Sequence, residues 1–270
     1  MLKRIVTAAV LLPLFLVVLF FLPYWCSAIL ASLLSMAAAY ELLRKTGLVR
    51  SKLILAITIP VSGFAPPAFT LGLDPAFAIF LYFVVIAVLF VYAMGHGETF
   101  RFAQISACVF AMVVIPVFFS AFPVILKEEK GRFLIVLPFL IAWGCDTFAY
   151  FTGMLFGKHK LIEHISAKKT VEGAIGGVAG SVLLTAGYAL ILRFAFSLSP
   201  NYLLLLLLAL MGSVVSQIGD LSMSLIKREN HIKDYGNLMP GHGGVLDRFD
   251  SVLFVLPLAF AAVRLLPLIS

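Results

Sequence analysis

Apolar residues along the chain gather into nine long runs with short polar stretches between them. The runs extend from Ile5 to Leu22, Ser27 to Leu43, Leu53 to Leu73, Ala76 to Met94, Phe102 to Leu126, Phe133 to Thr152, Ala174 to Phe196, Tyr202 to Met223 and Ser251 to Leu268. A helix rising about 1.5 Å per residue crosses the hydrocarbon core of a bilayer with roughly 20 residues, so each run is long enough to span. The pattern predicts an all-α, polytopic integral membrane protein with about nine transmembrane helices. The first run follows Lys3 and Arg4 as a signal peptide would. Its apolar stretch exceeds the usual length of roughly 7 to 15 residues and no small-x-small cleavage site follows, so it reads as a retained helix.

Composition agrees with this pattern and excludes a soluble domain: 62% of residues are hydrophobic and only 12% charged, with a mean hydropathy of +1.10. Cys26, Cys108 and Cys145 lie in or beside apolar runs, at spacings that match no zinc or disulfide framework, and read as small core residues. The net charge of +7 adds orientation. With the N-terminus in the cytoplasm, only Lys127, Lys130, Arg132, Arg193 and Arg264 of the 20 basic residues fall outside, the asymmetry expected of cytoplasmic loops. The same parity brings the loops Gly153 to Gly173 and Ser224 to Asp250 to the cytoplasmic face, where they can build one site. Residues 1–130 then hold five spans without a distinctive motif, and residues 131–270 hold four spans and the site.

Acids are more informative than bases here, because orientation does not require them. Asp146 sits within the sixth run and Asp220 near the end of the eighth. A charge at the centre of a membrane helix costs about 2.5 to 3.5 kcal/mol on insertion scales, so it faces a polar cavity with a partner unless it lies near the hydrated interface. Ser216, Asp220 and Ser224 recur at helical spacing with Gln217 alongside, and one further turn adds Lys227 and Arg228 to the same side. An acid deep in such a stripe with bases at its mouth suits a metal-bound anionic ligand. Asp247 lies between the glycines of "GHGG" and Arg248, whereas Asp250, followed by Ser251, reads either as a ligand or as a helix N-cap.

Two further stretches carry candidate chemistry. In "SAKKTVEGAIGG", Gly173, Gly176, Gly177 and Gly180 form overlapping small-xxx-small pairs that predict close helix packing, while Lys168, Lys169 and Thr170 are candidates for phosphate contacts. "GMLFGKHK" is one residue short of a P-loop and lacks the Ser or Thr after its lysine.

Taken together, these motifs resemble the phosphatidate cytidylyltransferase, or CDP-diacylglycerol synthase, family. Its C-terminal signature is filled by "SLIKRENHIKDYGNLMPGHGGVLDRFD", Ser224 to Asp250, and a second family stretch is similar to "WGCDTFAYFTGMLFGKHK" and "SAKKTVEG". Ala167 stands where the family usually has proline. The resemblance covers roughly Trp143 to Asp250 and implies transfer of a cytidylyl group from CTP to phosphatidate at the cytoplasmic, inner membrane. It implies Mg²⁺, one or two ions with a monovalent cation as an addition, held by Asp220 and Asp247 with Asp146 and Asp250 as further ligands or supports. Lys227, Arg228, Lys233 and Arg248 would neutralise the triphosphate and the leaving pyrophosphate. Lys168 and Lys169 would grip lipid phosphate or CTP, and His242 would hydrogen-bond a phosphate oxygen or protonate the leaving group. Thr170, Ser224, Asp234, Gly243 and Gly244 complete the expected substrate contacts. Membrane lipids are the other expected partners, nucleic acid is not, and a homodimer is the expected oligomer. Related readings are a CDP-archaeol synthase or a polyprenol kinase; an ion or metabolite transporter is disfavoured, because few polar groups continue to the outer face.

Overall fold

The computed structural model describes residues 13–238 and 243–269. The first apolar run lies partly outside them. Among the described residues, seven helices or helix pairs are long and apolar enough to cross a membrane: Tyr24–Lys45, Lys52–Leu71, Pro75–Gly95, Phe102–Lys127, Gly131–Phe156, Val171–Ala195 and Tyr202–Glu229. They correspond to the second through eighth runs. Most of the ninth run is helical as well, within a helix Leu246–Leu265, but that helix carries Asp247, Arg248, Asp250 and Arg264 and is not among the seven.

Packing divides the chain into two units, Met1–Lys127 with Glu229–Arg248, and Glu128–Arg228 with Phe249–Ser270. In the first, α1 (Tyr24–Tyr40) passes into a π-helical turn, Glu41–Lys45. Helices α2 (Lys52–Ser62) and α3 (Ala65–Leu71) follow. Gly63 lies between them, where an added Cβ would come within 2.9 Å of Met36 Sδ, and its carbonyl accepts the Ser32 hydroxyl at 2.8 Å. Helix α3 stops at Gly72, whose φ of 70° is a left-handed conformation that favours glycine. Asp74 then caps α4 (Pro75–Gly95) by accepting the Ala76 N–H, with Pro75 at the first helical position. Only Val85 and Leu89 of α4 are buried, as suits a helix apolar on all sides and facing lipid. Helix α5 (Phe102–Val109) runs through a second π turn, Phe110–Val114, into α6 (Ile115–Lys127).

The second unit is built on α7 (Gly131–Leu134), α8 (Val136–Phe156), α9 (Val171–Ala195), α10 (Tyr202–Glu229) up to Arg228, and α11 (Leu246–Leu265) from Phe249 onward. The predicted glycine seam is present. A Cβ at Gly173 would meet the Ala149 carbonyl at 2.8 Å and one at Gly177 the Cys145 carbonyl at 2.8 Å, while Gly176 abuts Thr152 and Gly180 abuts Phe148. Helices α8 and α9 therefore pack backbone against backbone. The Ser181 hydroxyl donates to the Ile141 carbonyl at 3.2 Å and Tyr188 to the Phe133 carbonyl at 2.9 Å, which reinforces the pair. Between the two helices the expected loop is instead an antiparallel hairpin, β1 (Lys160–Ile162) and β2 (Ser166–Thr170), pairing Lys160 with Thr170 and Ile162 with Ser166. Thr170 ends β2 and caps α9, its hydroxyl accepting the Gly173 N–H at 3.1 Å.

Candidate active site

The hairpin, α8, α9 and α10 enclose a pocket of about 390 Å³ in the second unit. Asp146 reaches it from α8, Lys168, Lys169 and Thr170 from β2, and Gln217 and Asp220 from α10. Lys169 Nζ lies 2.5 Å from Asp220 Oδ2, with the two side chains 27% and 23% exposed. The acid is thus matched by a base where water still reaches both. Ser224, one turn further along α10, donates its hydroxyl to Asp220 Oδ1 at 3.3 Å. Asp146 accepts the Ser251 hydroxyl from α11 at 2.8 Å.

On the eighth run Gln217 and Asp220 thus reach the pocket and Ser224 joins Asp220, and their helix continues to Glu229. Lys227 and Arg228 form its last turn, where cations favour the carboxyl end of a helix. Arg228 donates from Nε to the Ile165 carbonyl at 3.1 Å, tying the end of α10 to the turn of the hairpin. Gly219 lets α11 come close: a Cβ there would lie 2.7 Å from the Asp250 carbonyl. Asp250 is not a helix N-cap. Helix α11 begins four residues earlier, at Leu246, and the Asp250 carboxylate accepts the N–H of Ser251 at 2.9 Å from within it.

Two contacts set the hairpin. Glu172 collects the N–H groups of Lys158 and His159, and its carboxylate meets His159 Nδ1 at 2.6 Å. Lys160 Nζ donates to the carbonyl of Ala167 at 2.5 Å, so a side chain restrains the backbone at the position where the resemblance leads one to expect proline.

The remaining candidates belong to the first unit. Asp247 Oδ2 accepts the N–H of Tyr235 at 2.8 Å and that of Gly244 at 2.9 Å. Gly243, at φ 88°, occupies a conformation closed to most side chains, and a Cβ there would crowd Asp247 as well. Lys233, Asp234 and Arg248 are exposed. His242 lies outside the described residues. Glu41, which the sequence reading passed over, is 3% exposed and accepts the N–H of Val245 at 2.9 Å and of Leu246 at 3.0 Å. Its signal was available: an acid near the end of the second apolar run, as anomalous there as Asp146 is in the sixth.

Among the described residues, no three or more His, Cys, Asp or Glu side chains form a ready metal-binding group. The pocket does present two carboxylates, Asp146 and Asp220, with Gln217, Ser166 and Thr170 as neutral oxygen donors. That set fits Mg²⁺, which is commonly held by one or two carboxylates with substrate phosphates and water completing its shell.

Apolar spans around a pocket of paired acids and lysines define a helical membrane protein equipped to handle an anionic ligand. A model of the Cytidylyltransferase family matches residues 2–266, and the chain belongs to that family. Similar relatives include a phosphatidate cytidylyltransferase of Staphylococcus epidermidis, 40% identical over 167 residues, with 62% of each chain covered. Another, from Bacillus subtilis, is 39% identical over 176 residues, covering 65% of this chain and 64% of the relative. One from Staphylococcus aureus is 38% identical over 167 residues, with 62% of each covered. The matched stretch thus spans less than two thirds of these relatives' length.

Proposed function

We propose that the protein transfers the cytidylyl group of CTP to the phosphate of phosphatidate, releasing pyrophosphate and leaving CDP-diacylglycerol in the membrane. The observation that carries this reading is the pocket itself, in a chain of this family: Asp146 and Asp220 share it with Lys168 and Lys169. In the reaction a phosphatidate oxygen forms a bond to the α-phosphorus of CTP, and the bond from that phosphorus to the bridging oxygen of the β-phosphate breaks. The electron pair leaves with pyrophosphate. A phosphate monoester has a second pKa near about 6, so the attacking oxygen is largely ionised at neutral pH and no strong general base is needed. What the chain must supply is alignment and relief of repulsion between two anions.

Lys168 and Lys169 fit that task. The Lys169–Asp220 pair keeps about a quarter of its surface exposed, so an arriving phosphate can take over the ammonium. Asp220 and Asp146 are then the groups to hold Mg²⁺, whose positive charge would offset the charge developing on the phosphates. Lys227 and Arg228 add positive charge at the end of α10, and Arg228 at the same time holds the hairpin turn. Thr170 and Ser224 act through the elements they fix, as the cap of α9 and as a donor to Asp220. Roles for Asp247 and Asp250 as ligands, for Lys233, Asp234, Gly243, Gly244 and Arg248 at the phosphates, and for His242 at the leaving group rest on the resemblance. Nine spans, a cytoplasmic N-terminus, a cytoplasm-facing site in the inner membrane, a second metal or monovalent cation and a homodimer complete the proposal. They are supported by the distribution of basic residues and by the family.

Labelled CTP tests the reading with purified protein in phosphatidate-containing micelles. Label at the α-phosphorus should enter the lipid and label at the γ-phosphorus should leave as pyrophosphate. Lipid labelled from the γ-position would identify a kinase, and no labelled lipid at all would refute the proposal.

A further inference from the structure

Glu41 is costly where it stands. It is an acid near the end of an apolar span, nearly sealed from solvent, and burial of that kind persists when the charge is compensated by hydrogen bonds. Its two carboxylate oxygens are used on two successive backbone donors, Oε1 on Val245 and Oε2 on Leu246. Those amides stand at the start of α11, where main-chain N–H groups have no partner within the helix and the helix dipole favours an anion. The cap thus comes from a residue 204 positions away.

Two glycines that precede α11 pass close to the same carboxylate. A Cβ at Gly244 would come within 2.5 Å of the Glu41 carboxylate, and one at Gly236 within 2.9 Å of Oε1. Gly236 and Gly244 therefore both need to be glycine to pass Glu41. Immediately beside them Asp247 takes the N–H groups of Tyr235 and Gly244, so two carboxylates between them hold four backbone amides of one segment.

We infer that Glu41 is a positioning residue for the reaction: it sets Gly236, Gly244 and the first turn of α11, and through them the side chains of Asp247 and Arg248. The inference rests on the cytidylyltransferase reading for its kinetic consequence, but not for its structural one. Glutamine at this position keeps the size and one acceptor while turning an N–H₂ toward a backbone donor. Glu41→Gln should therefore lower kcat about tenfold or more, the usual scale for groups that hold a ligating side chain in place from behind, and leave the KM for CTP and phosphatidate within about twofold. Glu41→Asp, which retains both acceptors, should recover part of the loss. Gly244→Ala, which pushes on the carboxylate without altering its charge, should reproduce the kcat defect.

Trypsin cleavage after Lys233 in detergent-purified protein reads the segment directly, and should accelerate about fivefold or more in Glu41→Gln if local opening becomes easier. A folded Glu41→Gln protein with wild-type kcat and wild-type cleavage would overturn the inference, as would loss of monodisperse elution in both Glu41→Gln and Gly244→Ala, which would make Glu41 a residue of the fold alone. If wild-type protein makes no lipid product, the proposed function fails while faster cleavage of Glu41→Gln still supports the positioning role.

Discussion

Replacing Lys169 with methionine removes the positive partner of Asp220 while retaining much of the side chain's length. At a separation of 2.5 Å and an effective dielectric near 20, the gross attraction is about 7 kcal/mol. Desolvating the two groups takes back several kcal/mol per ion, less here because each keeps about a quarter of its surface. A net of about 1.5 to 3 kcal/mol remains, the range found for hydrogen bonds to charged groups. A double-mutant cycle of Lys169→Met with Asp220→Asn should show that coupling, read as a non-additive change of about 3 to 12 °C in the thermal midpoint for a chain of this size. Lys169→Met should be worse than the double variant, because it leaves the buried side of Asp220 without its positive partner. If Lys169 transfers its grip to a phosphate with similar strength, kcat/KM should fall about 10- to 150-fold in the methionine variant, and Lys169→Arg should recover part of it. A coupling below about 0.5 kcal/mol together with an unchanged kcat/KM would refute both the pairing and the proposed exchange.

Three further outcomes are expected. Asp247→Asn keeps an oxygen for the Tyr235 and Gly244 amides, so it should insert and elute normally yet lose Mg²⁺-dependent pyrophosphate release by about 100-fold; near wild-type turnover would remove Asp247 from the metal. Lys168→Ala should raise the apparent KM for one substrate about tenfold with kcat little changed, and unchanged KM values for both would end its binding role. Gly177→Leu drives a side chain into the Cys145 carbonyl and Ala149. Overpacking of about 1 to 3 kcal/mol should lower the thermal midpoint in detergent by about 2 to 12 °C, and an unaltered midpoint would mean that α8 and α9 can separate freely.

The spans were legible because lipid leaves the backbone few options: a long apolar run must satisfy its amides within itself, and a helix does so. The glycine seam was legible for a similar reason, since small residues at helical spacing have a direct steric meaning. Asp146, Asp220 and the two lysines were found as charges out of place, and the pocket joins them. The hairpin was not foreseen, because its strands are only three and five residues long and gain their stability from contacts such as Arg228 to Ile165 rather than from a local pattern. The start of α11 was misplaced because apolar content begins at Ser251, whereas the helix is initiated from Leu246 by a cap that no local rule reveals. Glu41 shows the limit most clearly: its anomaly lay in the sequence, but its partners are set by tertiary structure.

The glycine seam also bears on how such a protein can change. With Thr152, Ala149, Phe148 and the Cys145 carbonyl seated against four glycines, a one-residue slide of α9 would thrust Ala174, Val178 and Ser181 into spaces that admit no such side chain. The two helices consequently have a single way to dock, and the pocket wall they provide is a fixed datum. Variation in what the pocket accepts is then channelled into residues 160–169 of the hairpin, which line its rim outside the seam between α8 and α9.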